Sequence, residues 1–133
     1  MARIQVSART PWEDEFGYSR AVRVGDVIQV SGTTATDEHG TLYGEGDIYQ
    51  QAVYAIQKIE RALREAGATL LDVVRTRLYV TDIEDWAGLA KAHREFFGEV
   101  RPATTLVEVS RLIAPGYLVE IEAEAIVDEE GAR

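Results

Sequence analysis

The sequence predicts an α+β fold in which a mixed β-sheet carries two helices on one face. Three observations predict it: β-rich runs open and close the chain, two amphipathic helical stretches lie between them, and a strand separates the helices. The chain has 133 residues with no low-complexity linker or internal repeat, so we expect a single domain over residues 1–133.

The first elements form a predicted hairpin. Residues 1–17 contain Pro11 and Gly17 and are expected to be irregular. Two β-rich runs follow at residues 19–24 and 27–33, separated by the turn-forming pair Gly25-Asp26. Adjacent strands joined by so short a turn are expected to pair antiparallel.

A long amphipathic helix is predicted next. Apolar residues recur at 3.6-residue spacing and give one stripe that should face the core: Ile48, Ala52, Ala55, Ile56, Ile59, Ala62, Leu63 and Ala66. Asp47 with Gln50 three residues later resembles a capping box, and Gly67 supplies a left-handed stop.

The second half of the sequence predicts, in order, a strand, a helix and two further strands. A strand is expected over residues 73–80 and a helix over residues 82–97, ended by Gly98. One face of this helix should be buried: Trp86, Leu89, Ala90, His93 and Phe97. Two closing strands are expected at residues 103–109 and 118–127.

One face of the sheet is expected to mix charged, aromatic and aliphatic side chains. In strand 73–80, one face carries Val74, Thr76, Leu78 and Val80, and the other carries Val73, Arg75, Arg77 and Tyr79. In the last strand, Leu118, Glu120, Glu122 and Glu124 alternate with small and aliphatic residues. The arginines are expected to pair with these glutamates across strands, which is typical of a subunit interface with partly buried ion pairs.

Composition and charge exclude several function classes. The net charge of −9 opposes nucleic-acid binding, which normally needs a basic surface. The chain contains no cysteine, and its two histidines, His39 and His93, lie far apart, so we expect neither a metal site nor a cofactor. The first residues lack the apolar core of a signal peptide, and no membrane-spanning stretch is present, so cytoplasmic residence is expected.

Several motifs in a fixed order resemble the RidA/YjgF family. They are Gly-Tyr-Ser-Arg-Ala at 17–21, Val-Ser-Gly-Thr at 30–33, Val-Val-Arg-Thr-Arg-Leu-Tyr-Val-Thr-Asp at 73–82, and the Pro-Ala, Val-Glu-Val and Val-Glu-Ile-Glu-Ala pieces between 102 and 123. The resemblance implies a chorismate-mutase-like fold and a homotrimer with inward-facing sheets. It also implies small-molecule ligands held in three clefts at subunit boundaries.

The resemblance also implies roles for individual residues. Tyr18 would form an aromatic wall, Gly32 would let substrate approach the backbone, and the N–H of Leu106 would donate to the ligand. Glu120 would orient or activate water and so be the catalytic residue. The family's deaminating members have a carboxylate-binding arginine where this chain has Thr104.

The loss of that arginine separates this chain from the deaminating type. A neutral hydroxyl does not replace the two-pronged donor that a guanidinium offers to a carboxylate. One hypothesis has Arg77 supply the missing cation from another direction; the alternative is that Arg77, like Glu120, only forms cross-strand ion pairs. As a nucleophile, Thr104 has no base partner evident in the sequence.

Three function classes remain open at this stage. The first is a hydrolase of enamine or imine intermediates that uses Glu120 to position water. The second is a trimer that binds a ligand or partner without turnover. The third is an endoribonuclease or translation inhibitor, which the acidic charge disfavours.

Overall fold

The computed structural model describes residues 2–128, which form six strands and three α-helices in one sheet-and-helix unit. In chain order the elements are β1 (Arg3–Val6), α1 (Trp12–Phe16), β2 (Ala21–Val24), β3 (Val27–Thr33), α2 (Ile48–Glu65), β4 (Val73–Val80), α3 (Trp86–Phe97), β5 (Ala103–Glu108) and β6 (Val119–Ile126). The sheet order is β1-β2-β3-β6-β4-β5, in which β4 and β5 run parallel and the other neighbours run antiparallel. The predicted α+β class and mixed sheet are confirmed.

Helix α2 provides the centre of the core, as its apolar stripe predicts. All eight residues of the stripe are buried, and several are completely covered. Asp47 caps the helix by accepting from the backbone N–H of Gln50 at 3.1 Å, and Gly67 follows it with φ +89°. Since burying one large aliphatic side chain contributes about 1.5–3 kcal/mol, this stripe is a main source of stability.

Helix α3 is shorter and packs differently from the prediction. A 3-10 turn at Ile83–Asp85 precedes it, so the α-helix begins only at Trp86. Trp86 is 56% exposed, whereas Ala92, which was not assigned to the buried face, is fully covered. The predicted burial of Trp86, which is the first residue of the α-helix, is therefore wrong.

Two regular elements, β1 and α1, lie within residues 2–17, which corrects the expectation that residues 1–17 are irregular; residue 1 lies outside the described residues. Strand β1 pairs with β2 along the sheet edge, and α1 begins after Pro11 and ends at Gly17, whose φ is +73°. Pro at the start of a helix and a left-handed Gly at its end are normal terminal signals. A five-residue helix is too short to show the periodicity on which the prediction relied.

A register irregularity changes the predicted faces of β4. Pairing with β6 shifts between Val73 and Arg75, and this places Val73 in the core and leaves Val74 40% exposed. Beyond the irregularity the predicted alternation is correct: Thr76, Leu78 and Val80 are buried.

The face of the sheet opposite α2 and α3, which we call the uncovered face, has the predicted residues but not the predicted ion pairs. Register places Arg75 opposite Glu124 and Arg77 opposite Glu122. Within residues 2–128, however, no ion pair within 4.0 Å joins these side chains. Tyr79 donates to Glu122 at 2.8 Å and Arg75 donates to Thr105 at 2.6 Å instead.

Among the helices within residues 2–128, none is both long enough and apolar enough to cross a bilayer.

Candidate functional site

A cavity of about 820 Å³ opens beside the end of β3, and we call it the Glu120 cavity. Glu120 of β6 and Gly32 of β3 both line it, and Tyr18 contributes an aromatic ring. On the side formed by α1, Trp12 and Phe16 present exposed rings, with Phe16 70% accessible. The cavity therefore combines a carboxylate with a large apolar wall, which is a common composition for a small-molecule site.

Gly32 is the position at which the Glu120 carboxylate approaches the backbone. The pairing of β3 with β6 becomes irregular between Val30 and Thr33, and this irregularity includes Gly32. A Cβ at residue 32 would overlap Oε2 of Glu120. Residue 32 therefore has to be glycine if the carboxylate is to keep its place in the cavity.

Arg20 is a buried cation at the same cavity. It is only 8% exposed, and its Nη1 donates to the carbonyl oxygen of Gly32 at 2.7 Å and to Thr33 Oγ1 at 3.0 Å. Its guanidinium also lies 5.6 Å from the centre of the Tyr18 ring. Arg20 thus holds the irregular end of β3 and supplies a positive charge near Glu120.

Burial decides the protonation behaviour of Glu120. Desolvation raises the pKa of Glu120 above its usual 4.5, while the positive charge of Arg20 opposes the rise and the negative charge of Glu122 adds to it. A carboxylate with a raised pKa is a stronger base than an ordinary one, and such groups are common at catalytic sites.

Lys58 of α2 is another cation that lines the Glu120 cavity. Its Nζ donates to the carbonyl oxygens of Thr34 and Thr36 at 2.8 and 3.0 Å, which ties the segment after β3 to the helix. Burial and, to a smaller extent, the positive charges of Arg20 and Arg61 together lower the pKa of Lys58 to about 8, against the opposing negative charge of Asp37.

A separate cavity of about 440 Å³ lies between α3 and the edge strand β5, and we call it the Thr104 cavity. Thr104 and Leu106 line it from β5, and Ala90, His93 and Trp86 line it from α3. Parallel pairing places Thr104 beside Thr76 and Leu106 beside Leu78, so both face the helices.

Three polar side chains form a hydrogen-bonded chain at the Thr104 cavity. The Thr104 and Thr76 hydroxyl oxygens are 2.8 Å apart, and Thr76 Oγ1 is 2.9 Å from Nε2 of His93. The Thr104 hydroxyl donates to the carbonyl oxygen of Pro102 at 3.0 Å. Burial lowers the pKa of His93, whose ring packs 4.7 Å from that of Phe97.

Comparison with protein families identifies the fold and its relatives. The family model described as Endoribonuclease L-PSP matches residues 11–127. The chain belongs to the RidA/YjgF family. The resemblance carried by the sequence motifs is thereby confirmed.

Several RidA/YjgF relatives cover most of the chain. A RutC family protein of Pyrococcus abyssi is 42% identical over 108 residues, covering 81% of this chain and 84% of that protein. The 3-aminoacrylate deaminase RutC of Acinetobacter baylyi is 31% identical over 110 residues, covering 83% and 86% of the two chains. The crystal structure of a Mycobacterium tuberculosis member of the YjgF/YER057c/UK114 family superimposes with a TM-score of 0.87 at 51% identity, covering 95% of this chain and all of that one.

Within one RidA/YjgF chain, the predicted site residues fall into two groups. Tyr18, Gly32 and Glu120 meet in the Glu120 cavity, whereas Thr104 and Leu106 line the Thr104 cavity. The two groups lie apart because Glu120 points to the uncovered face of the sheet and Thr104 to the helix face. Among residues 2–128, no cluster of three or more metal-ligating side chains is found.

Arg77 lies outside both cavities. It is exposed on the uncovered face of β4, opposite Glu122 and beside Thr105. Within one chain, Arg77 is therefore not among the residues that line either cavity.

Sequence reasoning missed three polar residues of this RidA/YjgF chain. The motif at 17–21 contains Arg20, but no role was predicted for it. A charged side chain at the start of a strand, between Ser19 and Ala21, indicates that it has a specific hydrogen-bond or ionic partner. Lys58 borders the apolar stripe of α2, where a long cationic side chain often reaches over the core edge. His93 was assigned to packing, and its link to Thr104 depends on strand register that spacing does not reveal.

Proposed function

We propose that the chain is an enzyme that hydrolyses enamine or imine intermediates, with Glu120 as the catalytic base. The observation that carries this proposal is the Glu120 carboxylate, which lies in a large cavity, beside the side-chain-free Gly32 and near the buried Arg20. Its raised pKa suits a group that has to accept a proton and then return it.

The chemistry requires only water and this carboxylate. Water adds to the imine carbon, and Glu120 accepts one proton of that water as the carbon–oxygen bond forms. The proton held by Glu120 goes to the nitrogen, which gives a carbinolamine. Glu120 then accepts the hydroxyl proton of the carbinolamine as the carbonyl forms and the carbon–nitrogen bond breaks, and it returns this second proton to the departing nitrogen, which leaves as ammonia. One imine and one water thus give one carbonyl compound and one ammonia; an enamine first takes a proton on carbon and then follows the same course.

We place the reaction at the boundaries between the subunits of a homotrimer. The Glu120 and Thr104 cavities lie on opposite faces of one sheet, so one chain does not enclose a ligand between Glu120 and Thr104. Strand β5 is an exposed sheet edge with apolar Val107 42% accessible, which favours cover by a second copy. A small-molecule ligand would then lie between the Glu120 wall of one subunit and the Thr104 wall of the next.

Glu120→Gln is the direct test, because it keeps the shape of the side chain and removes the basic oxygen. Imines that carry a carboxylate are generated in the reaction mixture by an amino-acid oxidase, and imines without a carboxylate by an amine oxidase. Release of the carbonyl product is followed with the wild-type protein and with Glu120→Gln. We expect turnover to fall by about 10²–10⁴ in Glu120→Gln. Glu122→Gln, two residues along the same face of β6, is the matched control and should remain close to wild type.

The competing functions give different results in the same assay. A protein that binds ligand without turnover would show no release above the uncatalysed rate, with or without Glu120. An RNA substrate tests the ribonuclease alternative, and the net charge of −9 leads us to expect no cleavage. Full activity in Glu120→Gln would exclude the mechanism proposed here.

A further inference from the structure

The hydrogen-bonded chain at the Thr104 cavity has a direction that the donors and acceptors determine. The Thr104 hydroxyl has one hydrogen, and it donates that hydrogen to the Pro102 carbonyl oxygen at 3.0 Å. A carbonyl oxygen only accepts, so this end of the chain is fixed. The 2.8 Å contact between Thr104 and Thr76 must then use the hydrogen of Thr76.

The same count of donors and acceptors determines which ring nitrogen of His93 carries the hydrogen. Since Thr76 has given its hydrogen to Thr104, its oxygen has to accept in the 2.9 Å contact with His93 Nε2. His93 therefore carries a hydrogen on Nε2, both as the neutral ring and as the cation. All donors run from His93 through Thr76 and Thr104 to Pro102. Thr76 is completely buried, so water does not interrupt the chain at that point.

The direction of the chain decides what Thr104 offers to a ligand. Its hydrogen is used, one lone pair accepts from Thr76, and the remaining lone pair is left on an exposed residue that lines the cavity. Thr104 thus presents a hydrogen-bond acceptor, which is the opposite of the arginine that occupies this position in the deaminating members that the chain resembles.

We propose that the Thr104 cavity recognises a ligand group that donates an N–H or O–H hydrogen bond to Thr104 Oγ1, such as an amide, and disfavours a carboxylate at that point. The meaning of this recognition for catalysis rests on the proposed function, which it deepens by naming the substrate class. The expected substrates are imines that carry a neutral hydrogen-bond donor at the end that contacts Thr104. A carboxylate would bring a negative charge against an acceptor oxygen that has no hydrogen to give.

Two arginines at this cavity give the proposal a definite competitor. Arg94 and Arg101 also line the cavity, and both are exposed; Nε of Arg101 already donates to the carbonyl oxygen of Gly98 at 3.1 Å. If these guanidinium groups controlled recognition, the cavity would prefer an anion. The test therefore has to compare a neutral donor and an anion of equal shape.

The first measurement tests the hydrogen-bond chain without any ligand or turnover. Long-range ¹⁵N NMR of the intact protein distinguishes the two neutral tautomers of His93, with the exposed His39 as an internal reference. We expect the Nε2–H tautomer in wild type and a changed Nε2 resonance in Thr76→Val, which removes the acceptor. A neutral His93 that carries its hydrogen on Nδ1 would overturn the proposal.

The second measurement tests recognition with benzamide and benzoate, which have the same shape and differ in charge and donors. We expect benzamide to bind more tightly, and Thr104→Val to weaken benzamide binding by about 2–10-fold, the value of one neutral hydrogen bond. Benzoate binding should not weaken in Thr104→Val, because this substitution removes the acceptor oxygen that disfavours a carboxylate. Thr105→Val, on the same strand but the other face, is the control and should bind both probes as wild type does.

Other outcomes contradict the proposal in distinguishable ways. Tighter binding of benzoate that is lost in Arg94→Gln or Arg101→Gln would show that the guanidinium groups control an anion site. The absence of measurable binding of either probe would also overturn the proposal. If both measurements succeed while the trimer hydrolyses no imine, recognition at Thr104 stands and the proposed catalysis fails.

Discussion

Replacing Arg20 by methionine tests whether this buried guanidinium organises the Glu120 cavity. Methionine retains most of the apolar volume of the arginine stem and removes the charge and all five donors. The structure predicts two consequences. The carbonyl oxygen of Gly32 loses its 2.7 Å partner and Thr33 Oγ1 loses a 3.0 Å donor. Glu120 loses the positive charge that opposes the rise in its pKa.

The expected loss of stability follows from these contacts. A hydrogen bond from a charged donor contributes about 1.5–3 kcal/mol, and an acceptor left unpaired costs about 1–3 kcal/mol. Part of this is offset, because Arg20 is itself buried and its Nε has no hydrogen-bond partner within residues 2–128. We therefore expect Arg20→Met to lower the free energy of unfolding by about 2 kcal/mol, or Tm by roughly 5–10 °C.

The same variant should change how stability depends on pH. The pKa of Glu120 is raised in the folded state, so its ionisation opposes folding: the favourable contribution is complete below pH 4.5 and is lost as pH rises through the folded pKa. Without Arg20 the folded pKa rises further, so this loss should extend to higher pH. The double variant Arg20→Met/Glu120→Gln has no carboxyl group at residue 120, so its free energy of unfolding should lack that additional pH dependence.

Urea denaturation from pH 4 to 8 measures both the loss of stability and its pH dependence. The chain concentration is kept fixed, because the apparent stability of any oligomer depends on concentration. Arg9→Met is the matched control: Arg9 lines the same cavity but is exposed and pairs with Glu65 at the surface, so about 0–1 kcal/mol is expected. If Arg20→Met is as stable as Arg9→Met at pH 7, Arg20 does not organise the cavity.

Two further substitutions test other contacts of the Glu120 cavity. Gly32→Ala should displace the Glu120 carboxylate and so reduce imine turnover without preventing folding, which activity and circular dichroism together would show; equal activity would mean that the carboxylate moves freely. Lys58→Met should remove a rise in stability between about pH 8 and pH 10.5, because the folded state of the wild type releases the Lys58 proton before the unfolded state does. If the free energy of unfolding, measured by denaturation, changes with pH in the same way for wild type and Lys58→Met across this range, the lowered pKa of Lys58 is contradicted.

The fold was largely predictable because its main signals are local. The stripe of α2, its Asp47 cap and the Gly67 stop each follow from a few consecutive residues, and all are confirmed. The failures have equally local causes. Helix α1 is too short for periodicity to show, and the irregularity at Val73 shifts the β4 pattern by one residue, which exchanges the faces of Val73 and Val74.

The candidate site was less predictable because it depends on which strands become neighbours. Thr76 and Thr104 are 28 residues apart and meet only because β4 and β5 pair in parallel in this register. His93 reaches them because α3 lies over that pair. No spacing rule connects these three positions, so Thr104 seemed to have no polar partner when its sequence neighbours alone were considered.

The separation of the two cavities links the proposed catalysis to the proposed assembly. Glu120 and Thr104 face opposite sides of one sheet, so a ligand that contacts both needs the Thr104 wall of another subunit. In the proposed homotrimer, imine turnover should therefore fall as dilution dissociates the subunits, which sedimentation at the same concentrations would follow. Benzamide binding uses the Thr104 wall alone and should persist in the dissociated chain. Turnover that is constant while the trimer dissociates would show that the Glu120 cavity of one subunit is sufficient and that Thr104 takes no part in the reaction.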